Sequence, residues 1–326
     1  MQALVLEEYS TNYTLKQLVR PVPAAGQVLV RIKVSGVNPL DLKIKAGQAA
    51  HAKTQLPAIL GIDMAGIVES VGDGVTLFKL GDEVFGMTGG IAGLQGSLAE
   101  YAAVDADLLA HKPKRLTMRE AAALPLAFIT AWEGLVDRAN VGNGKNVLIQ
   151  GGSGGVGSIA VQLAKAKDAN VFATDKPAKK PFLESLGATF IDYTHYPVDE
   201  YLQEYTQGEG FDIIFDTVGG TTLDASFQAV KTYTGHVVSI LGWGTHTLAP
   251  LSFRGATYSG VFTLLPLITG IGRKHHGEIL REASQLADTG LLIPSVDPVY
   301  YTMQTIEDAY IAFENRQNNG KVVIEI

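Results

Sequence analysis

The chain has 326 residues, a formal net charge of −7 and no cysteine. A length above ~300 residues predicts about two domains, and the missing cysteines exclude disulfides, thiolate nucleophiles, iron–sulfur clusters and cysteine-rich zinc sites. The acidic balance argues against nucleic-acid binding. The N-terminus has no secretory signal pattern, and the longest apolar stretch, about 258–272, is shorter than the ~20 residues that span a bilayer. We therefore expect a cytoplasmic protein with no nucleic-acid or membrane partner.

The first 120 residues contain short strand patterns separated by turn residues. The patterns lie at 27–34, 64–71, 83–87 and 98–104. The Gly, Asp and Pro residues between them are typical of tight turns. This part of the sequence predicts a compact β-barrel or sandwich-like domain.

Near Thr117 the pattern changes to helical spacing. Thr117 and Glu120 have the spacing of a capping box, and Pro125 predicts a break or kink in the helix that follows. Beyond it, strand and helix patterns alternate. Predicted strands lie at 146–150, 170–174, 189–192, 211–216 and 236–241, and predicted helices at 158–167, 181–186 and 223–230. This alternation predicts an α/β fold with a doubly wound parallel sheet.

The C-terminal residues return to short β patterns. A strand is predicted at 299–301, a helix at 306–315 and a last strand at 320–326. Because these strand patterns are like those of the first 120 residues, we expect the C-terminal segment to join the N-terminal domain.

The most specific local motif is Gly151-Gly152-Ser153-Gly154-Gly155-Val156-Gly157, which contains G-x-G-x-x-G as Gly152, Gly154 and Gly157. It directly follows a predicted strand and opens a predicted helix, as dinucleotide-binding turns do. The first glycine permits the tight turn, the second lets the backbone approach a diphosphate, and the third lets helix and strand pack closely. The helix N-terminus then attracts the diphosphate. The alternative is a glycine-rich turn with a purely structural role.

The residues after the next predicted strand bear on the choice of nicotinamide cofactor. Thr174 and Asp175 end that strand, and an acidic residue there favours NAD because it accepts hydrogen bonds from the ribose hydroxyls. Lys176, Lys179 and Lys180 follow at once, and lysines there favour the extra phosphate of NADP. We take NADP(H) as the cofactor and keep NAD(H) as the alternative.

The carboxyl ends of other predicted strands add candidate cofactor contacts, because ligands bind at this edge of a parallel sheet. Val218 follows the strand 211–216, and Ile240, Leu241 and Gly242 lie at the end of the next strand. Tyr193 follows the strand 189–192 and either stacks near the adenine or packs against the sheet.

Eight segments together resemble the medium-chain dehydrogenase/reductase superfamily, and the resemblance is nearest to its zinc-independent, quinone-oxidoreductase-like branch. The segments are SGVNPLDLKIKAG (35–47), GIDMAGIVESVG (61–72), LGDEVFG (80–86), GSLAEYAAV (96–104), AAALPLAFITAWEGL (121–135), QGGSGGVGSIAVQLAK (150–165), FDTVGG (215–220) and GKVVI (320–324). The resemblance covers almost the whole chain. It implies a GroES-like catalytic domain at 1–121, a Rossmann dinucleotide-binding domain at 122–288, a C-terminal return to the catalytic domain at 289–326, and a homodimer.

The chain departs from the zinc-dependent branch of that superfamily at the metal ligands. Where that branch has Gly-His-Glu, this chain has Gly61-Ile62-Asp63, and Asn38 and Pro39 stand where a cysteine ligand is expected. The seven histidines form no H-x-x-x-H pair, so we expect no metal site. Without a Lewis acid to polarise it, the acceptor must itself be electrophilic, as a quinone or an α,β-unsaturated carbonyl is.

The resemblance also implies which residues take part in the reaction. Asn38, Asp41 and Lys43 match the segment N-x-x-D-x-Tyr that lines the substrate cleft between the two domains, with Lys43 in place of the tyrosine. Lys43 either donates a hydrogen bond to a developing enolate or quinol oxygen or is a solvated surface residue. The residues that match positions near the nicotinamide or its cleft are Thr130, Phe262, Thr263 and Lys321.

The sequence thus predicts an NAD(P)H-dependent, zinc-independent oxidoreductase that transfers a hydride to a quinone or α,β-unsaturated carbonyl. The alternatives are an alcohol dehydrogenase-type oxidoreductase and a non-catalytic nucleotide-binding protein. A short-chain dehydrogenase is excluded, because that class has a Tyr-x-x-x-Lys pair and no tyrosine of this chain has lysine four residues later.

Overall fold

The computed structural model describes residues 1–326, which form two compact units. The first unit consists of Met1–Leu126 and Leu264–Ile326, and the second of Ala127–Thr263. The C-terminal segment therefore lies in the same unit as the N-terminal strands. None of the helices is both long and apolar enough to cross a membrane.

The chain forms fifteen strands and eleven α-helices. The strands are β1 (Gln2–Val5), β2 (Thr14–Gln17), β3 (Gln27–Gly36), β4 (Asp63–Val71), β5 (Glu83–Met87), β6 (Tyr101–Asp105), β7 (Leu109–His111), β8 (Asn146–Gln150), β9 (Asn170–Asp175), β10 (Thr189–Asp192), β11 (Ile213–Asp216), β12 (His236–Ser239), β13 (Thr257–Gly260), β14 (Tyr301–Thr302) and β15 (Val323–Glu325). The helices are α1 (Pro39–Lys45), α2 (Met118–Ala122), α3 (Pro125–Trp132), α4 (Gly155–Ala166), α5 (Lys180–Ser185), α6 (Val198–Thr206), α7 (Thr221–Ala229), α8 (Ala249–Arg254), α9 (Leu265–Thr269), α10 (Arg273–Asp288) and α11 (Ile306–Glu314).

The first unit is built on a seven-stranded, mainly antiparallel sheet. Its strand order is β14-β15-β3-β4-β5-β7, and β6 pairs with β3 outside this path. Val28, Val30 and Ile32 alternate along β3 and are buried against Met64 and Val68 of β4, as the period-2 pattern of a half-buried strand requires. The last strand, β15, pairs antiparallel with β3, which joins the C-terminal segment to the sheet of the N-terminal strands.

The second unit has a six-stranded sheet in the order β10-β9-β8-β11-β12-β13, and all its pairs are parallel. Renumbered within the unit, this is the 3-2-1-4-5-6 order of the Rossmann fold, and it confirms the predicted fold class. The strand order reverses between β8 and β11. At this switch point the loops after the two strands lead away in opposite directions, which opens a crevice at the carboxyl edge of the sheet.

The start of the helical region follows the predicted signals. Thr117 is the N-cap of α2, its hydroxyl oxygen accepts the backbone N–H of Glu120, and the Glu120 carboxylate accepts the backbone N–H of Thr117 at 2.7 Å. This reciprocal pair satisfies two amides that a helix start leaves without partners. The helix ends at Ala122, and α3 begins at Pro125, so the predicted break is also present.

Helix α10 differs from the sequence-based division of the chain. The sequence pattern places residues 122–288 in the dinucleotide-binding domain, whereas this helix lies in the first unit. There Arg273 forms an ion pair with Asp105 at 3.0 Å, and the Ser284 hydroxyl donates to the His111 carbonyl at 2.7 Å. The apolar stripe of a helix indicates a buried face but does not identify the partner, which is why the sequence placed this segment differently.

Candidate active site

The loop between β8 and α4 is a tight glycine turn. Gly151 has a φ of +73°, which glycine adopts without strain. A Cβ on Gly152 would lie 2.7 Å from the Ala173 Cβ, and one on Gly157 would lie 2.2 Å from the Gly151 carbonyl oxygen. These two glycines are therefore required by contacts inside the protein, which is the packing role that the motif predicts for its last position.

The middle of the same loop faces open space. A Cβ on Gly155 would meet no atom within 4 Å, and one on Gly154 would meet only the Gly151 carbonyl oxygen, at 3.3 Å. Gly154 is the N-cap of α4, so the first amide groups of this twelve-residue helix are available to a ligand. Ser153 and Val156 are partly exposed beside them. The arrangement fits a dinucleotide diphosphate, which binds to backbone N–H groups at the positive end of a helix.

The Asp175 carboxylate holds this loop in place. One of its oxygens accepts the Ser153 backbone N–H at 3.0 Å, and the other accepts that of Lys176 at 2.8 Å. The neighbouring Thr174 hydroxyl is buried, accepts the Gly151 N–H at 3.3 Å and donates to the Gln150 side chain at 2.6 Å. Asp175 and Thr174 thus fix the backbone of the loop from the adjacent strand.

The predicted lysines and Tyr193 lie near the same edge of the sheet. Lys176 and Lys180 are exposed, and the Lys180 ammonium group is 3.7 Å from the Glu184 carboxylate, a solvated pair that contributes little to stability. Tyr193 directly follows β10 and is about half exposed. These side chains are exposed to solvent, in contrast to the hydrogen-bonded glycine loop.

The loops after β11 and β12 also lie at this edge. Thr217 ties the first of them to the glycine turn, because its hydroxyl donates to the Gln150 carbonyl at 2.7 Å. A Cβ on Gly151 would lie 2.8 Å from a Val218 methyl group, so Val218 borders the turn directly. In the loop after β12, Ile240 and Leu241 are half-buried and Gly242 is exposed. The structure therefore brings Val218 to the glycine loop and places residues 240–242 one strand further along.

Thr130 and Thr263, which are distant in sequence, meet in the second unit. The Thr130 hydroxyl donates to the Thr263 hydroxyl at 3.3 Å, and that of Thr263 donates to the Glu133 carboxylate at 2.7 Å. Phe262 stacks edge-on against Trp243, with ring centroids 6.5 Å apart. Sequence reasoning missed Glu133, and no signal marked it, because its role depends on a contact with a residue 130 positions away.

A buried polar cluster in the first unit contains Asn38, Asp41 and Lys321, together with Asp63. The Asn38 side-chain amide donates to the Asp63 carboxylate at 2.9 Å, and the Asn38 backbone N–H donates to Asp41 at 2.8 Å. The Lys321 ammonium group donates to the Asn38 amide oxygen and lies 3.5 Å from Asp63. Sequence reasoning missed Asp63 as a member of this cluster, although it identified the segment Gly61-Ile62-Asp63.

Burial dominates the ionisation of this cluster. It raises the pKa of Asp41 to about 7 and also raises the pKa of Asp63, while the nearby Lys321 ammonium opposes both effects. Burial lowers the pKa of Lys321, and the two carboxylates oppose that shift. Shifted pKa values of this kind are typical of functional sites, although structural ion pairs also produce them. Lys43 lies outside the cluster, on the exposed side of α1.

The residues do not fit a catalytic or structural zinc ion. The Ile62 side chain is fully buried and offers no donor atom. No group of three or more His, Asp or Glu side chains is arranged to hold a metal ion. Zinc sites in proteins use three or four nitrogen, sulfur or oxygen ligands, and this chain provides no such set.

Comparison with known proteins agrees with this architecture. Residues 24–114 match the family model of the alcohol dehydrogenase GroES-like domain, and residues 155–266 match that of the zinc-binding dehydrogenases. A crystal structure of an alcohol dehydrogenase superfamily protein from Novosphingobium aromaticivorans is 55% identical, with a TM-score of 0.98, and the match covers 100% of this chain and 99% of that one.

Two curated relatives have named activities. The 2-methylene-furan-3-one reductase of Solanum lycopersicum is 36% identical over 91% of this chain and 71% of its own length. The chloroplastic NADPH-dependent alkenal/one oxidoreductase of Arabidopsis thaliana is 34% identical over 99% of this chain and 79% of its own length. The chain therefore belongs to the medium-chain dehydrogenase/reductase superfamily.

Proposed function

We propose that this protein is an NADPH-dependent, zinc-independent oxidoreductase that transfers a hydride from the nicotinamide to an α,β-unsaturated carbonyl or a quinone. The observation that carries the proposal is the glycine loop at the switch point of the parallel sheet. Its outer glycines are packed against protein, and its middle glycines open onto the N-terminus of α4. This combination leaves room for a diphosphate where backbone N–H groups bind one.

The cofactor supplies the hydride when bound, and the chain binds and orients it. Residues 152–157 are proposed to hold the diphosphate. The other proposed cofactor residues of the second unit are Thr130, Thr174, Asp175, Lys176, Lys180, Tyr193, Val218, Ile240, Leu241, Gly242, Phe262 and Thr263. Lys321 is proposed as a cofactor residue from the family resemblance alone.

Two observations favour NADP(H) over NAD(H). Both Asp175 oxygens already accept backbone N–H groups, so the carboxylate has a role in the loop that is independent of the ribose hydroxyls. Lys176 and Lys180 are exposed directly after it and are able to pair with a 2′-phosphate. The Arabidopsis relative is also named as NADPH-dependent.

Asn38, Asp41 and Lys43 are the proposed residues for the substrate side of the reaction. Asn38 and Asp41 are locked in the buried cluster and shape the start of α1. Lys43 is exposed on the same helix and is the proposed donor of a hydrogen bond to the oxygen that becomes negative as the hydride arrives. An enone or a quinone accepts a hydride without a metal because its own carbonyl groups delocalise the new charge.

The test is a comparison of NADPH and NADH oxidation in the presence of quinones, enones and enals. We expect oxidation that depends on the added acceptor and is faster with NADPH. Oxidation of simple alcohols with NADP⁺, and no reduction of the panel, would support an alcohol dehydrogenase-type enzyme instead. Cofactor binding without turnover of any compound would indicate a non-catalytic nucleotide-binding protein.

We further propose that the protein is a cytoplasmic homodimer. The family resemblance supports the dimer. Size-exclusion chromatography with light scattering tests the dimer, and cell fractionation tests the compartment. A monomeric mass at micromolar concentration would contradict the dimer.

A further inference from the structure

A fully buried carboxylate lies beneath two of the loops at the carboxyl edge of the second unit. Asp216 ends β11, the strand that pairs with β8 at the switch point. Its side chain has no exposed surface. Burying a carboxylate is unfavourable unless hydrogen bonds replace its hydration. The position of Asp216 therefore needs an explanation in terms of what it binds.

Backbone amides of the following loop provide most of those hydrogen bonds. One oxygen of Asp216 accepts the N–H of Val218 at 3.1 Å and that of Gly219 at 3.0 Å. The other accepts the same Gly219 N–H at 3.1 Å and the Ser239 hydroxyl at 2.7 Å. All these donors are neutral, so the carboxylate acts by shaping the backbone and not by pairing with a cation.

Ser239 extends the same network to the loop after β12. It ends β12, it is buried, and its hydroxyl oxygen accepts the backbone N–H of Leu241 at 3.1 Å. The hydroxyl therefore donates to Asp216 and accepts from Leu241 at once. One carboxylate thus fixes residues 218–219 directly and residue 241 through a single side chain.

The two loops are also in direct contact. Gly219 has a φ of +76°, and a Cβ there would lie 2.5 Å from the Leu241 carbonyl oxygen. On the other side, Thr217 donates to the carbonyl of Gln150, the last residue of β8. The segment that begins at Asp216 is consequently held between the glycine loop and the loop after β12.

We propose that Asp216, acting through Ser239, is a positioning residue of the cofactor site: it sets the backbone of residues 218–219 and 240–242 for nicotinamide-cofactor binding. The inference rests on the proposed function, which places Val218, Ile240, Leu241 and Gly242 at the cofactor. It requires a carboxylate, because each oxygen accepts two donors and an amide nitrogen accepts none. Asp216 itself is not proposed to touch the cofactor.

The experiment measures the dissociation constant of NADPH by fluorescence titration, with the melting temperature recorded for each variant. The variants are Asp216→Asn and Ser239→Ala. The matched control is Thr206→Val, which removes a buried hydroxyl that donates to the Leu202 carbonyl at 2.7 Å and accepts the Gly210 N–H at 3.0 Å. Thr206 lies before β11, at the opposite edge of the same sheet.

We expect Asp216→Asn to weaken NADPH binding about tenfold or more, since a buried donor left without its acceptor costs roughly that factor. Ser239→Ala should weaken it by a smaller factor, because the Asp216 contacts to residues 218–219 remain. Thr206→Val should lower the melting temperature and leave the dissociation constant unchanged. In steady-state assays the loss should appear in the KM for NADPH more than in kcat, as for an interaction made equally in ground and transition states.

Unchanged NADPH affinity in both Asp216→Asn and Ser239→Ala, with lowered melting temperatures, would overturn the positioning role and leave the proposed function intact. If the unaltered protein binds neither NADPH nor NADH, both the positioning role and the proposed function are overturned. If Asp216→Asn does not fold, the NADPH affinity of Ser239→Ala tests the positioning role, because that variant keeps every backbone contact of the carboxylate.

Discussion

The glycines of the loop after β8 differ in what surrounds them. A Cβ on Gly152 or Gly157 would lie within 3 Å of protein atoms, whereas one on Gly154 would meet a single atom at 3.3 Å and one on Gly155 would meet none within 4 Å. A side chain at either of the first two positions disrupts packing, whereas one at either of the other two meets little of the protein. The same motif therefore contains two residues that serve the fold and two that are proposed to serve binding.

Replacing Gly154 with Asp should abolish NADPH binding and leave the protein folded. The new carboxylate would occupy the space of the diphosphate and repel it, while its Cβ meets only one atom, at 3.3 Å. Isothermal titration calorimetry measures the loss, and circular dichroism measures the fold. Gly142→Ala, at a glycine with nothing within 4 Å of the added Cβ, is the control. Unchanged affinity in Gly154→Asp would remove the diphosphate site from this loop.

Asp41 is a second residue whose surroundings determine its chemistry. It is buried, and its pKa is raised to about 7, mainly by desolvation. A carboxyl group with a higher pKa in the folded state than the ordinary value of ~3.9 binds its proton more tightly when folded. Its contribution therefore lowers the free energy of unfolding as pH rises from about 4 to about 7.

Asp41→Asn should remove this contribution. We expect a flatter dependence of the free energy of unfolding on pH between about 4.5 and 7, by up to about 1.4 kcal/mol per pH unit, and a more stable protein at pH 8. Urea unfolding across that range measures the slope. Asp308→Asn, at an exposed position in α11 of the same unit, should leave the slope as it is. If the free energy of unfolding of Asp41→Asn depends on pH as that of the unaltered protein does, the raised pKa of Asp41 is contradicted.

At the scale of elements, helix packing outweighs helix propensity in α10. Gly277 is buried in the middle of this sixteen-residue helix, where glycine costs about 1 kcal/mol relative to alanine. A Cβ there would lie 2.6 Å from the Asp107 carbonyl oxygen and 3.1 Å from that of Leu109. The glycine permits a close approach of the helix to the backbone of the first unit.

Gly277→Ala should accordingly destabilise the protein. Overpacking against backbone atoms costs about 1–3 kcal/mol, more than the gain in propensity, so we expect a net loss on the order of 1 kcal/mol in the free energy of unfolding. Chemical denaturation measures it. Gln285→Ala, at an exposed position of the same helix, should change little. A more stable Gly277→Ala variant would mean that the helix moves away from the Asp107 and Leu109 backbone without a loss in the free energy of unfolding.

For the whole molecule, the clearest expectation concerns metal content. The zinc-binding dehydrogenase family model matches residues 155–266, yet no set of side chains is arranged to bind a metal ion. We expect purified protein to contain much less than one zinc per chain by mass spectrometry of the elements, and EDTA to leave NADPH oxidation unchanged. Stoichiometric zinc, or loss of activity that zinc restores, would contradict the zinc-independent reaction.

Much of the architecture was predictable because local patterns report local structure. The capping box at Thr117, the break before Pro125 and the strand limits 146–150 were read directly from residue types and spacing. Helix α10 and strand β13 were missed. The segment around β13 is short and mixes glycine with aromatic residues, and the glycine inside α10 obscured its helical pattern.

Some features of the candidate site likewise follow from local sequence patterns, and others depend on tertiary contacts. By itself, the sequence determined the βα alternation and the glycine motif, since these depend on residue identity and short-range spacing. Only the tertiary structure decided which glycines face open space, that Asp63 joins Asn38 and Lys321, and that Asp216 ties two loops together. The reason is physical: burial and hydrogen-bond partners come from residues tens to hundreds of positions apart, and no local pattern encodes which of them will meet.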